Sequence, residues 1–333
     1  MMAVFVRFIR LILCICTGFA VSASLLATET DQYTTPVSPL RDIGPELSRK
    51  IVEIIESDQT GRDPERILSR WVGRNVVASR LVRWVRAMPV SGSPDRYLPP
   101  LTGSIYHRVR SPVPRGFRYN APTVLVHGYY MGTDKIDHFF QQGHDYYARV
   151  ASIEAAGGTT GAGIAVAVAR GVRQEYKWFG TLASGVFSNA DLAANYAGMK
   201  FYLNLRRSVR IGHWVSPPLF VRSPEGWRLR PGLDPDRLLE PFLSDHLDES
   251  LNPSRYRYGR EVIRAHVRDR CTPWTRFYAD RLVLVAPAGE SFATTWFGED
   301  YGHWLPPAQE VSIATECGPV HLPSLPTGAA ETF

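Results

Sequence analysis

Long apolar runs, cysteine and the short motifs of familiar enzymes are scarce in this 333-residue sequence. Beyond residue 23 no window supplies the ~20 consecutive apolar residues that a membrane-spanning helix needs, so the remainder reads as soluble or peripheral. Gly-x-Ser-x-Gly is absent throughout, so the strand-like TVLVHG ending in His127-Gly128 has no nucleophile elbow to serve. Strands do not alternate with helices as a parallel sheet requires, which excludes an α/β hydrolase architecture. The glycine-rich AAGGTTGAGIAVAVARG lacks the Gly-Lys-Ser/Thr ending of a phosphate loop, an argument against nucleotide binding. No internal repeat is present. Only four cysteines occur, and two of them, Cys14 and Cys16, lie in the first 23 residues. Cys271 and Cys317 are left as the one pair beyond that segment, which predicts a disulfide in an oxidising compartment.

What is present begins with a leader. Residues 1–23 carry Arg7 and Arg10, no acid, an apolar run from Leu11 to Ala20 and a Val-Ser-Ala end, which is the pattern of a secretory signal cleaved after Ala23. Retention of the segment as an anchor is the alternative. Cleavage takes the formal net charge from +6 to +4 and places the protein outside the cytoplasm, in the periplasm or secreted. At 44% hydrophobic and 21% charged residues the composition is that of an ordinary globular chain with a sizeable core.

The patterning predicts a mainly α fold, a helical bundle with a small β-hairpin and strand appendage in the C-terminal third. Residues 24–43 are polar and without periodicity, a flexible lead. Residues 44–122 hold N-terminal helices and a Pro-rich crossing. Leu47, Ile51, Ile54 and Ile55 form one stripe, Asp63-Pro64-Glu65 starts a second helix, and Val76 to Val85 form a third. Residues 123–210 form a central helical core, with the small-residue segment at its middle and a last helix from Asn189 to about Arg207. Residues 211–333 form an α+β region. There LFVRSPEGWRLR reads as a hairpin, Asp234 to Asp248 and Gly259 to Cys271 as helices, and RLVLVAP and VSIAT as short strands.

The chemistry concentrates in the central core. With Gly132-Thr133 as turn and cap, a helix from Asp134 puts Asp134 and His138 on one face ~6 Å apart, and Asp145 returns to that face. Asp191 and Asn195 repeat the i, i+4 spacing in SNADLAANYAG, where Ser188 also caps the helix as a capping-box variant. Glu175 lies between, in RQEYKWFG. Acids on faces that must otherwise be apolar require partners. His127 lines the approach, before the helix, with no serine nucleophile near it.

The pattern Asp-Lys-x-x-His, a Glu before an aromatic segment, then Asp-Leu-x-x-Asn-x-x-Gly resembles the polar helical core of VanZ-like proteins and of small YfiM-type periplasmic proteins. Asp134, Lys135, His138, Glu175, Asp191, Asn195 and Gly198 are the matching positions, within about 70 of 333 residues. The chain lacks the continuous membrane-spanning helices of the first family and is far longer than the second. The resemblance implies a shared helical core rather than a reaction.

Asp134, His138, Glu175 and Asp191 are thus the candidate catalytic residues, with Lys135, Asn195, His127 and Asp145 as binding residues. Clustered carboxylates and a histidine suit glycoside hydrolysis, or a divalent metal that activates water. The same groups also suit a non-catalytic ligand-binding or structural protein with a buried polar network. Basic stretches at 206–210 and 254–260 favour an envelope glycan or an anionic lipid surface as partner, not nucleic acid.

Overall fold

A computed structural model describes residues 29–74, 78–89, 94–110, 121–182, 184–212, 214–279 and 310–318. The leader, RLVLVAP and the N-terminal end of the third predicted helix lie outside these residues.

Three amphipathic helices come first: α1 (Gly44–Glu56), α2 (Pro64–Val72) and α3 (Arg80–Ala87). Pro45 and Pro64 sit in the first turns of α1 and α2, where a missing N–H costs nothing. The predicted stripe Leu47, Ile51, Ile54 and Ile55 is buried. Ser79 caps α3 by accepting the Val82 N–H; Arg80 and Arg83 are exposed, away from buried Leu81, Val82 and Val85, while Arg86 reaches inward to donate to Thr133 Oγ1 at 3.0 Å.

Strands β1 (Thr123–Val126) and β2 (Tyr129–Gly132) then form an antiparallel hairpin. His127 and Gly128 are its two turn residues, both at positive φ (48° and 80°), as a tight primed turn demands. The second strand is not signalled in the sequence, because YYMG has no alternation to distinguish it from the helix that follows.

That helix runs in three pieces. α4 (Thr133–Asp137) leads into a wide π turn (His138–Gln142) and then α5 (Gly143–Ala155). α6 (Thr160–Gln174) follows and ends in a second π turn (Glu175–Phe179). After β3 (Val186–Ser188) comes α7 (Asn189–Asn204), all sixteen residues of which are buried. This is the true centre of the bundle. The small-residue helix α6, expected there, instead packs on α5 through Gly163, Ile164, Ala167, Val168 and Gly171 and leaves its other face to solvent. Gly163 and Gly171 serve that one contact: a Cβ on Gly163 would lie 2.9 Å from Val150 Cα, and one on Gly171 would meet the Tyr146 hydroxyl.

The C-terminal part carries the short strands. β4 (Val209–Ile211) pairs with β5 (Trp214–Ser216), and β6 (Phe220–Ser223) with β7 (Gly226–Leu229), the hairpin predicted from LFVRSPEGWRLR. Residues 234–248 are not one helix but three separate 3-10 turns, Pro235–Arg237, Glu240–Phe242 and Asp245–Leu247. Pro235 opens the first and Pro241 is the second residue of the next, and the missing N–H groups forbid a continuous hydrogen-bond ladder. β8 (Ser254–Tyr256) returns to pair antiparallel with β3. α8 (Arg260–Arg268) is the helix expected over Gly259 to Cys271, and α9 (Cys271–Phe277), which was not expected, follows it. VSIAT is corrected: only Val311 bridges to Ser254, and Ser312 opens a capping box for α10 (Ile313–Cys317).

The expected flexible lead is also corrected from residue 29 onward. Glu29, Thr30, Asp31, Gln32 and Tyr33 are all buried, with Thr30 bridged to Ala121 and the Tyr33 hydroxyl donating to Val311 O at 2.8 Å. The Cys271–Cys317 disulfide is present, with a Cα–Cα distance of 5.6 Å.

Candidate functional site

The site is built around one cation. Lys135, next to the start of α4, has a fully buried side chain. Its ammonium donates to Asp134 Oδ2 at 2.8 Å, lies 2.5 Å from Asp191 Oδ1 and contacts Glu249. Asp134 also accepts from the Thr30 hydroxyl at 2.6 Å. Glu249, from the turn before β8, accepts the hydroxyls of Ser188 at 2.6 Å and Ser254 at 2.7 Å.

The helix start at Ser188 explains how Asp191 is released to this centre. The Ser188 hydroxyl accepts the Asp191 N–H at 3.0 Å, half of the predicted capping box. In a complete box the third residue would bond back to the Ser188 N–H. Here Glu175 does so instead, accepting that N–H at 3.2 Å. The Asp191 carboxylate therefore points to Lys135 and to His138, whose Nε2 donates to Asp191 Oδ2 at 3.2 Å. The other ring nitrogen of His138 faces Asn195 Oδ1 at 2.9 Å.

Asp134, Lys135, His138, Glu175, Asp191 and Asn195 are accordingly brought into one linked group. Gly198 supports it from below. A Cβ there would meet Phe139 O at 1.9 Å, and one on Gly143 would meet Gly198 Cα at 2.7 Å. Only bare backbones allow α7 to approach the broken helix closely enough for Asn195 and Asp191 to reach His138. His138 and Glu175 each open one of the two π turns, wide turns that recur at functional sites.

Electrostatics divide the carboxyl groups. Five of them, on Glu29, Asp134, Glu175, Asp191 and Glu249, are buried around a single ammonium. Burial, with Asp191 and Glu249 adding repulsion, raises Glu29 well above the usual carboxylate range. Burial likewise raises Glu175, reinforced by Asp191 and Glu29. Burial raises Glu249 too, against the pull of Lys135. Asp191 moves the other way, because His138 and Lys135 outweigh its burial and hold it ionised. Burial alone would lower Lys135, but Asp134, Asp191 and Glu249 outweigh it and keep the ammonium charged. The cluster thus sets acids whose hold on a proton is strengthened beside one whose hold is weakened.

Glu29, Asp134 and Glu249 present carboxylate oxygens within 4.8 Å of one another, the spacing of a cation site. Lys135 already contacts two of these three carboxylates, so its ammonium stands where a metal would bind. The donor set is therefore poorly suited to a divalent ion, which would have to share the centre with a like charge.

Two predicted residues belong elsewhere. Asp145 does not return to the site face: it is exposed and pairs with Arg74 at 3.1 Å. The π turn at 138–142 takes up an extra residue and rotates everything after it about the helix axis. His127 joins a different set, its Nε2 lying 2.8 Å from Ser48 Oγ, and its backbone N–H donating to Asp42 Oδ1 at 2.8 Å. A serine hydroxyl is thus beside His127, contrary to expectation. Ser48 is completely buried on α1 and its Oγ also accepts the Leu239 N–H at 3.2 Å. The pair ties the hairpin turn, α1 and the 3-10 turns together and presents no open nucleophile.

Sequence reasoning missed Glu29, Thr30, Glu249 and Ser254, which come from the lead and from the segment before β8. Nothing in their local sequence marks them; only the fold brings them to residues 134 and 191. No protein-family model, curated protein or solved structure matches the chain.

Proposed function

We infer that the chain is an exported cell-envelope protein whose 134–195 cluster is an acid–base site for hydrolysis of an envelope glycan or related polymer. The observation that carries this reading is His138. Its side chain is 19% exposed, against 8% or less for Asp134, Lys135, Asp191 and Glu249, and Asp191 and Asn195 fix both of its ring nitrogens. A partly exposed imidazole, oriented by an ionised carboxylate and backed by the raised Glu175, has the parts of a proton-transfer couple. In such hydrolysis the ionised Asp191 carboxylate, oriented by His138, accepts a proton from the attacking water. The hydroxyl adds to the anomeric carbon as the glycosidic bond breaks, and a carboxylic acid such as Glu175 protonates the leaving oxygen. The likeness of the Asp-Lys-x-x-His and Asp-Leu-x-x-Asn-x-x-Gly pattern to VanZ-like proteins supports treating these positions as one unit.

A second reading is a non-catalytic envelope protein in which the cluster only holds the fold. It is favoured by Lys135, a cation without exposure between three carboxylates. His138→Gln separates the two. The protein is incubated with isolated cell-wall glycan and the reducing ends released are measured. Catalysis predicts that the variant loses about a hundredfold or more of the rate, with its melting temperature within a few degrees of the parent. A parent that releases nothing, or a variant that is equally active, leaves the structural reading in place. Export is checked by the intact mass of protein from the periplasmic or secreted fraction, which should lack residues 1–23; a mass retaining Met1 overturns that expectation.

A further inference from the structure

α6 is apolar on two sides, and only one of them is covered. Gly163, Ala167 and Gly171 face α5, while Ala165, Val166 and Ala169 are exposed on the opposite side, Val166 at 45%. Helices apolar all round are normally buried on every face, so the outer side is a surface without a partner among the described residues. It continues past the helix into exposed Tyr176 (52%) and Leu182 (51%).

Its charge is of one sign. Arg170, Arg173 and Lys177 are exposed at the C-terminal end of this face. Between Glu154 and Asp191 the sequence has a single acid, Glu175. That carboxyl is turned inward to the Ser188 N–H and does not neutralise the surface. Among the described residues no carboxylate pairs with the three cations. Arg206, Arg207 and Arg264, in contrast, are matched, to Glu65 at 2.8 Å, Glu154 at 2.9 Å and Glu316 at 2.7 Å.

We propose that the outer face of α6, with the turn that follows it, is a docking surface for an anionic lipid bilayer. An exposed apolar stripe next to an exposed aromatic and a run of unpaired cations is the combination that lies in a membrane interface. The side chains of Val166, Tyr176 and Leu182 enter the headgroup boundary, and Arg170, Arg173 and Lys177 meet phosphate. The basic stretches at 206–210 and 254–260 do not serve as well, since Arg206 and Arg207 are spent on internal pairs and Ser254–Tyr256 is a paired strand. Docking here sets the bilayer beside the π turn that carries Glu175, so membrane-bound material would be presented next to the site. The surface does not depend on the reaction proposed above.

The purified protein is co-sedimented with vesicles of phosphatidylcholine alone and with vesicles that also contain phosphatidylglycerol. Binding is expected to the anionic vesicles only and to weaken as salt is added. Arg170→Glu, Arg173→Glu and Lys177→Glu combined should lower that binding about a hundredfold, from the loss of three surface cations. Val166→Asp should lower it with the charges intact, and both variants should melt at the parental temperature because the residues are exposed. Any leader retained is common to all variants and cancels. His138→Gln should still bind, which separates this surface from the reaction. Equal binding to neutral vesicles, or none to anionic ones, overturns the proposal. So does a dimer in light scattering that Val166→Asp dissociates without any lipid binding, since a second copy would then be what covers the face.

Discussion

Glu175 links burial to a measurable pH dependence. Because the folded state raises its pKa above the ordinary 4.5, that state binds a proton the unfolded chain has released. Its contribution to stability is complete below about pH 4.5 and is lost progressively as pH rises toward the folded value. Glu175→Gln mimics the protonated form and can still accept the Ser188 N–H. It should match the parent near pH 4.5 in thermal melting and become the more stable of the two as pH is raised to 8. A gap that stays constant with pH would show that Glu175 is ionised in the fold. Lys135 does not mask this effect, since its raised pKa is lost only above its ordinary 10.5, and Asp191, which is lowered, matters only below 3.8. At this scale the sequence spoke clearly. The i, i+4 pairs 134/138 and 191/195 lie on helices and meet, because two polar stripes in apolar surroundings satisfy each other most cheaply. Glu29 and Glu249 were invisible for the converse reason: each lies in irregular chain, where no period marks an inward side.

Among the elements, α7 depends on close approach. Gly198→Ala would drive a methyl into the Phe139 carbonyl, a backbone atom with no rotamer to escape into. The expected loss is on the order of 3 kcal/mol and 5–10 °C in melting temperature, together with release of the His138–Asn195 contact. Gly161→Ala, with nothing within 4 Å of the added carbon, is the control and should be neutral. Equal melting of both variants would remove the argument that this glycine sets the helix spacing. Amphipathic helices such as α1 to α3 were legible because their stripes face a single core. α7 gives no stripe, being surrounded on all sides, and α6 was misplaced at the centre because small residues signal close packing without saying on how many faces. Asp145 was misplaced by a π turn, which no residue pattern in HFFQQ announces.

At the scale of the whole molecule the described residues gather into two large apolar clusters. One gathers α1 to α3, α5 and α7; the other gathers Tyr33, Tyr106, Tyr130, Tyr256, Trp274 and Val311. The mainly α class followed from the patterning, but the lead and 310–318, both structural parts of the second cluster, did not, since short aromatic contacts over long separations leave no local trace. The disulfide closes that cluster across a separation of 46 residues, with Glu316 on α10 also paired to Arg264 and Arg268 on α8. Reduction should cost about 4 kcal/mol by loop-closure entropy. Peptide mapping after thiol labelling of unreduced, denatured protein should find Cys271 and Cys317 unlabelled; label on both would refute the bridge. The buried lead carries a further consequence, one of timing. Thr30 needs Asp134, 104 residues on, and Tyr33 needs Val311, 278 residues on. The stretch around residues 30–33 must therefore wait, uncovered, until residue 311 has been made, and its contacts are among the last to form.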